Sequence, residues 1–284
     1  MAWARTRLTA ELFSGDTERR DDVQARLTEN LRMNAQHDLD RVKQAFDGEW
    51  ARVYREQMDT QVVANQSGSY RHYGAILEQL CSSFGRPIVA LDLGCGTGRH
   101  FNLLNNVERL VAIDLSEHMV DQAHNPIFAD KITVKSIEYL VGDVYSAALR
   151  ESTFDLIYCI GVVGEYVPAD AAFLRRLHSL LRPGGIAFFT VTDARSRISV
   201  PENARPSFVR RALRKGFPLL PPLVRELVNR YFSPSYTTPA RMERLLRASP
   251  STRHSLVPYV HTSGWRGTNL DCTIWRGNET GKGA

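Results

Sequence analysis

Long apolar runs are missing from this sequence. Nowhere do about 18 consecutive residues stay apolar, so no membrane-spanning helix is expected. The opening MAWARTRLTAELFSGD holds no apolar stretch of the kind that precedes a secretory cleavage site, and a cytoplasmic location is expected. Cysteine is scarce. Cys81, Cys95, Cys159 and Cys272 are scattered without the pairwise spacing of a metal site, and are expected as reduced thiols. The same scatter excludes a three-cysteine iron–sulfur motif and the radical chemistry that accompanies it. Internal repeats and low-complexity tracts are also absent.

What is present is ordinary globular composition: 284 residues, 43% hydrophobic and 24% charged, enough for one large domain or a domain with an appended lid. The net charge of +5 is unevenly spread. Between Ala194 and Pro250 stand 12 Lys and Arg against 3 Glu, a local +9 that leaves −4 for the rest. Such an excess points to an acidic partner or to a solvated helical face.

The chain divides by pattern. Residues 1–64 are polar and partly helical, with Leu39, Val42, Phe46, Trp50 and Val53 at helical spacing. Residues 65–193 begin with an amphipathic helix, YRHYGAILEQLCSSFG, and then alternate short apolar runs with helical stretches. The runs IVALDL, RLVAIDL, IEYLVGDV, FDLIYCI and GGIAFFTVT predict five strands of a parallel sheet covered on both faces. Right-handed crossovers gather the strands' carboxyl ends on one edge, where ligands bind. Residues 194–250 form a proline-rich basic insertion with two helical patterns, PSFVRRALRKG and PPLVRELVNRYF. Residues 251–284 close the chain with HSLVPYVHT and NLDCTIWRG, whose closeness requires an antiparallel hairpin.

The sharpest signal is IVALDLGCGTGRH. A strand ending at Leu93 must turn sharply, here into a helix, and Gly94 can take the positive φ such a turn needs. Gly96 and Gly98 let a ligand touch the backbone and let the helix pack on the strand. The turn's N–H groups and the helix N-terminus offer donors and partial positive charge. The spacing G-x-G-x-G is shorter than the G-x-G-x-x-G of dinucleotide sites. It suits a ligand with a carboxylate and a ribose rather than a pyrophosphate, and argues against a dehydrogenase. Asp114 ends the second strand, twenty residues after Gly94, where a carboxylate can accept from a ribose diol. Ser116 caps the next helix. Asp143 ends the third strand and can accept from an adenine amino group, with the Val144 amide beside the ring.

LDLGCGTG, AIDLS, GDV, FDLIYCI and LRPGG stand together in an order and spacing that resemble the class I S-adenosylmethionine-dependent methyltransferases, over roughly residues 73–192. The resemblance implies a Rossmann-like α/β fold, doubly wound, with a seven-stranded sheet whose last strand is antiparallel. N-terminal helices and the insertion after the fifth strand would form a lid. It implies S-adenosyl-L-methionine as cofactor, S-adenosyl-L-homocysteine as product, and no metal. The cofactor set becomes Asp92, Gly94, Cys95, Gly96, Gly98, Asp114, Leu115, Met119, Asp143, Val144 and Ile160. Within it, Asp92 lies near the cofactor's amino group or simply caps the loop, Cys95 is a small filler, and Met119 packs on adenine or belongs to the core.

Methyl transfer is an in-line displacement that needs alignment and exclusion of water. The methyl should point past the fourth strand, where Glu165 and Tyr166 are the catalytic candidates. Glu165 stands where many relatives carry His, and either acts on the acceptor or favours the next helix end. Acceptor-binding candidates are Tyr54, Tyr73, Asp193, Tyr236 and His261, with Tyr70, His72, Tyr231, His254 and Tyr259 as further aromatics of a pocket or of packing. His100, His118, His124 and His178 read as surface or capping residues. The expected activity is methylation of a small molecule, N or O rather than C, in specialised metabolism. The alternatives are methylation of RNA or protein, action on a lipid or quinone at a membrane surface, and a non-enzymatic cofactor binder. No RNA-binding module is recognisable, and peripheral membrane contact through the insertion is the remaining partner option.

Overall fold

The computed structural model describes residues 48–59, 68–164, 167–195, 216–221, 223–225, 237–260 and 268–278, with the single positions 40, 43 and 46. Two compact units divide the chain, Met1–Asp47 and Gly48–Ala284, and the fold lies in the second. Its elements begin with helix α1 (Gly48–Val53), a π-helical turn Tyr54–Asp59, helix α2 (Gly68–Ser82), strand β1 (Ile88–Leu93) and strand β2 (Val107–Asp114). Helix α3 (Glu117–Ala123), strand β3 (Ser136–Val141), strand β4 (Phe154–Val163), helix α4 (Ala171–Leu180) and strand β5 (Leu181–Thr192) follow. Helix α5 (Pro239–Arg247) and the hairpin β6 (Arg253–Val260) and β7 (Thr268–Trp275) complete the set.

The strands form one seven-stranded sheet in the order β3-β2-β1-β4-β5-β7-β6. β1 to β5 run parallel to their neighbours, while β7 is antiparallel to both β5 and β6. The order reverses between β1 and β4, and at that switch point the crevice for a ligand opens. This is the Rossmann-like architecture expected, with the closing hairpin as read from the sequence.

Period-two alternation sorts the side chains between the two faces. Leu91 and Leu93 join Ile113, Phe189, Phe173 and Leu177 in one core cluster. Ile88 and Ala90 join Tyr158, Phe188, Tyr73 and Leu77 in the other. α2 reaches that second face through Tyr73, Leu77 and Cys81, spaced four apart and all buried. Full burial of a side chain such as Leu77 stabilises by about 1.5–3 kcal/mol. α4 starts where the Asp170 carboxylate accepts from the Phe173 N–H at 2.8 Å. At the amino edge, the buried Asp155 accepts from Arg86 at 2.7 Å, Arg182 at 3.1 Å and the Val89 amide at 2.8 Å. This ties β1, β4 and β5 together far from the ligand edge.

The helix expected after the glycine loop does not form. A turn and one 3-10 turn, Phe101–Leu103, take its place. The reason is reach. β2 starts at Val107, level with Ile88 at the far end of β1. The chain must return along a six-residue strand, about 20 Å, with only residues 99–106 to do it. Eight residues of α-helix cover about 12 Å. Asn106 turns the corner at φ 56°.

Of the basic insertion, residues 196–215 and 226–236 lie outside the described residues, which leaves its lid role untested. Its last part, α5, is docked on the core through buried Met242 and Leu246. All four cysteines are unpaired and buried. Among the described residues no helix is long and apolar enough to cross a membrane, and no cluster of His, Cys, Asp or Glu could hold a metal ion.

Candidate active site at the carboxyl edge

The glycine loop is fixed by the strand beside it. The N–H groups of Gly94 and Cys95 both donate to Ile113 O, at 2.8 and 3.0 Å, and that of Gly98 donates to Cys95 O at 3.0 Å. The Gly96 N–H donates to Asp114 Oδ2 at 2.9 Å. These amides therefore hold the loop's own shape. The expectation that they and a helix N-terminus would face a ligand is corrected accordingly. Gly94, Gly96 and Gly98 all adopt positive φ, 76°, 53° and 74°, the region that costs other residues most. A Cβ on Gly94 would overlap Val162, and one on Gly98 would come within 2.6 Å of Phe101. A Cβ on Gly96 would meet nothing nearer than the Met119 methyl at 4.0 Å. Gly96 is thus the position where bare backbone faces open space, the cradle a ligand can fill.

Asp114 organises the second side of that cradle. Besides Gly96, it accepts from the Ser116 N–H at 3.0 Å through Oδ1. Burial raises its pKa, and the Ser116, Gly96 and Leu115 amides oppose that rise. Each carboxylate oxygen keeps further acceptor capacity for a diol. Ser116 in turn caps α3, accepting from the Met119 N–H at 3.3 Å, which sets Met119 beside the loop. At the end of β3, the Gly142 N–H donates to Asp114 O at 2.8 Å, and Asp143 heads a tight turn accepting from Ala147 N–H at 2.8 Å. Arg176 of α4 clamps this turn, donating to Val144 O at 3.2 Å and Ala147 O at 2.7 Å.

β4 runs three residues beyond the predicted FDLIYCI and covers the loop. The Gly161 N–H donates to Thr190 Oγ1 at 2.9 Å, and the next residue, Val162, packs on Gly94. Gly164 N–H donates to Val167 O at 2.7 Å, and Val167 N–H to Val162 O at 3.3 Å. Glu165 and Tyr166, between those residues, lie outside the described residues, as do Tyr236 and His261.

The remaining candidates are spread along the edge. Tyr54 accepts a hydrogen bond from Arg99, the residue after the loop, whose guanidinium also lies 5.2 Å from the Tyr54 ring centroid. Tyr73 is buried in the second core cluster, its hydroxyl accepting from Asn269 Nδ2 at 3.0 Å. Asp193 is buried and occupied by Arg195, whose backbone N–H donates at 2.9 Å and guanidinium at 3.0 Å. His72 pairs with Asp271 at 2.6 Å and stacks on Tyr259 at 3.7 Å. His100 is half-buried against the Tyr70 ring. Burial, aided by Arg99, pushes its pKa down to about 3, so the ring is neutral.

Asp92 and Tyr158 sit beneath the loop. They are paired in register across β1 and β4 and point to the same face. Asp92 is 3% exposed and Tyr158 fully buried. Burial raises the Asp92 carboxyl to about 8, with Tyr158 opposing and Asp114 adding to the rise. The Tyr158 phenol faces that carboxyl, and burial first, then the carboxyl beside it, raise the phenol's own pKa. A carboxyl whose folded pKa lies above its ordinary 3.8 favours folding fully below about pH 4. That contribution is lost as pH rises through about 8. Asp92→Asn is therefore expected to be more stable than the wild type at pH 8, by on the order of 1–3 kcal/mol, and nearly equal to it at pH 4. Thermal melts at the two pH values check this. An equal gap at both would remove the titration from the explanation.

Residues 91–189 match the family described as a methyltransferase domain. Over that stretch the chain is similar to the class I S-adenosylmethionine-dependent methyltransferases. It is similar to the malonyl-[acyl-carrier protein] O-methyltransferase of Yersinia pestis, 32% identical over 105 residues, or 36% of each chain. It also resembles the ubiquinone biosynthesis O-methyltransferase of Coxiella burnetii, 28% identical over 118 residues, 41% of this chain and 48% of that one. The match thus spans a third to a half of these curated relatives. Among solved structures, the magnesium protoporphyrin IX methyltransferase of Synechocystis PCC 6803, with bound SAH, shares the fold. Its TM-score is 0.53 at 15% identity, covering 84% of this chain and 99% of that one.

Sequence reasoning missed several residues that shape this edge. Thr190 and Asp271 were visible as polar residues inside apolar strands. Arg176 carried no signal, because its partners are backbone carbonyls of a loop thirty residues away.

Proposed function

We propose that this protein transfers a methyl group from S-adenosylmethionine to a small-molecule acceptor, at nitrogen or oxygen rather than carbon. One observation carries the proposal: the bare backbone of Gly96 is held open against the Asp114 carboxylate, with Met119 beside it. That arrangement fits a ribose lying on the loop. In this reading Asp114 accepts from the diol, Asp143 and the Val144 amide meet the adenine, and Leu115, Met119 and Ile160 pack on it. Gly94, Cys95 and Gly98 keep the loop's curvature, and Asp92 receives the amino-acid end. The cofactor supplies a methyl already activated as a sulfonium. The chain's task is then to align the acceptor and exclude water. Val162, packed on Gly94, closes the loop side of the crevice. Glu165 and Tyr166, which follow directly, are proposed to border the methyl, with Tyr54, Tyr73, Asp193, Tyr236 and His261 around the acceptor.

The names of the two curated relatives support oxygen as the acceptor atom. The local +9 between residues 194 and 250 favours acceptors that bear carboxylate or phosphate. A cytoplasmic setting belongs to the same proposal. Calorimetry with S-adenosylhomocysteine should show saturable binding at one site. Methyl-labelled cofactor mixed with protein and metabolite extracts should then label a small product. Absence of cofactor binding would end this reading. Binding with label found only on RNA or protein would end its small-molecule part.

A further inference from the structure

We infer that His72, held by Asp271, is the general base that takes the proton from a hydroxyl acceptor. This rests on the function proposed above and names the group that is methylated. The pair lies at the ligand edge. Asp92, Tyr158, Phe188 and Thr273 form one row across β1, β4, β5 and β7. Two residues further toward the carboxyl edge, on the same face, Thr190 pairs with Asp271. Asp271 therefore stands level with Gly94, the residue two beyond Asp92. The first turns of α2 reach the same edge. The Tyr73 hydroxyl there meets Asn269, which pairs with Thr192, the last residue of β5. His72 precedes Tyr73 in that helix.

His72 Nε2 lies 2.6 Å from Asp271 Oδ2. The imidazole lies flat on Tyr259, with centroids 3.7 Å apart and planes 4° from parallel, and the Tyr73 ring meets it at 5.1 Å. It is thus oriented from three sides. The side chain remains 30% exposed, and among the described residues nothing bonds to its other nitrogen, Nδ1. Asp271 is 5% exposed, and its Oδ1 is buried without a hydrogen bond. A buried carboxylate held so sparingly gains most when its one partner becomes a cation, which strengthens His72 as a base. Burial raises the Asp271 pKa, and His72 opposes that rise. The phenols of Tyr73, from α2, and Tyr259, from β6, also face the pair. Burial and then Asp271 raise both, so both stay neutral. In the reaction the acceptor oxygen attacks the methyl carbon with a lone pair. A C–O bond forms as the C–S bond breaks, its electrons passing to sulfur. The hydroxyl proton passes to His72 Nδ1, and Asp271 holds the imidazolium through Nε2–H until that proton leaves to solvent. A carboxylate acceptor needs no such base, because it is already ionised at neutral pH. An ammonium acceptor is repelled by the sulfonium, whereas an oxygen turning anionic is attracted to it. Asp271 and Tyr259 are positioning residues.

Two measurements on the full chain test this. The first needs no acceptor. Nitrogen NMR of the imidazoles, with His72 assigned by its loss in His72→Gln, should show the neutral ring protonated on Nε2 and bare at Nδ1. Asp271→Asn should move the ring's titration to lower pH, because the imidazolium loses its counter-charge. A neutral ring protonated on Nδ1, or a midpoint unmoved in Asp271→Asn, overturns the inference. The second measurement is transfer of labelled methyl from S-adenosylmethionine into catechol and into a metabolite extract. The label should enter an ether, which mild alkali leaves intact. At pH 7 His72→Gln should transfer at least about 100-fold more slowly, with S-adenosylhomocysteine affinity within about twofold of the wild type. The gap should close toward about pH 10, where a phenolic hydroxyl ionises unaided. Asp271→Asn should show a smaller loss with the same pH dependence. A merely structural role would slow transfer equally at every pH, and that result overturns the inference. So does a label found in an amine or in a methyl ester, which alkali releases as methanol. Cofactor binding without any labelled small molecule overturns the base and the small-molecule reading together. No cofactor binding at all overturns the function itself.

Discussion

Asp114→Ala is expected to weaken S-adenosylhomocysteine by at least about 100-fold, the largest loss of affinity from any single side chain at this edge. Two separate contributions add. The carboxylate is the acceptor proposed for the ribose diol, and hydrogen bonds to a charged group contribute about 1.5–3 kcal/mol. The same carboxylate holds the Gly96 N–H at 2.9 Å and the Ser116 N–H at 3.0 Å. Without it the loop and the cap of α3 lose a shared anchor. A tenfold change in affinity corresponds to about 1.4 kcal/mol, so losing one charged bond and part of the loop order reaches two decades. The affinity for 5′-methylthioadenosine should fall alongside, since that probe keeps the ribose. Asp92→Asn should spare this probe, which lacks the amino-acid end, and that separates the two carboxylates by role. Asp114→Asn should fall between, because the amide keeps one acceptor atom and cannot serve both backbone N–H groups. Unchanged affinity in Asp114→Ala, measured by calorimetry, would remove Asp114 from the ribose site.

How far the edge was legible from sequence follows from how local each cause is. The central strands were readable because they are short apolar runs buried on both faces, as in β2, where Leu110 to Ile113 are all buried. The hairpin was readable because β6 and β7 are too close in sequence for a crossover. Asp114 was readable as a strand-end carboxylate near the glycines. Its grip on the Gly96 amide was not, since it depends on the loop's three-dimensional curl. The helix after the loop was expected from the motif, and chain length overruled the motif. Residues 99–106 cannot both coil and return to Val107. The far end of β4 hid for another reason. GVVG looks like a loop, with Gly161 and Gly164 at φ 80° and 88°. The chain nevertheless keeps pairing with β5 across a bulge, Val163 against Val191. That bulge carries Val162 onto Gly94, a contact between residues 68 positions apart that no local pattern encodes.

Gly94→Ala tests that contact and is expected to be the most destabilising single-methyl change in the loop, by about 2–5 kcal/mol. Two terms make it up. The backbone at Gly94 has φ 76°, and left-handed geometry costs a residue with Cβ about 1–2 kcal/mol. The new methyl also overlaps the Val162 side chain, and overpacking of this kind costs about 1–3 kcal/mol. In a domain of this size each kcal/mol lowers the melting temperature by about 2–4 °C, so a fall of roughly 5–15 °C is expected. The two terms separate in a double-mutant cycle. Val162→Ala removes the methyls that the added Cβ would strike, so Gly94→Ala in that background should keep the backbone cost and lose most of the overlap. Gly96→Ala is the control: at φ 53° it carries the backbone cost, but its Cβ meets only Met119 at 4.0 Å. It should melt higher than Gly94→Ala and yet bind S-adenosylhomocysteine poorly, because its methyl enters the ribose cradle. If Gly94→Ala melts with the wild type, Val162 does not rest on Gly94. If Val162→Ala brings no relief, backbone strain alone explains the loss and the covering role of β4 is withdrawn.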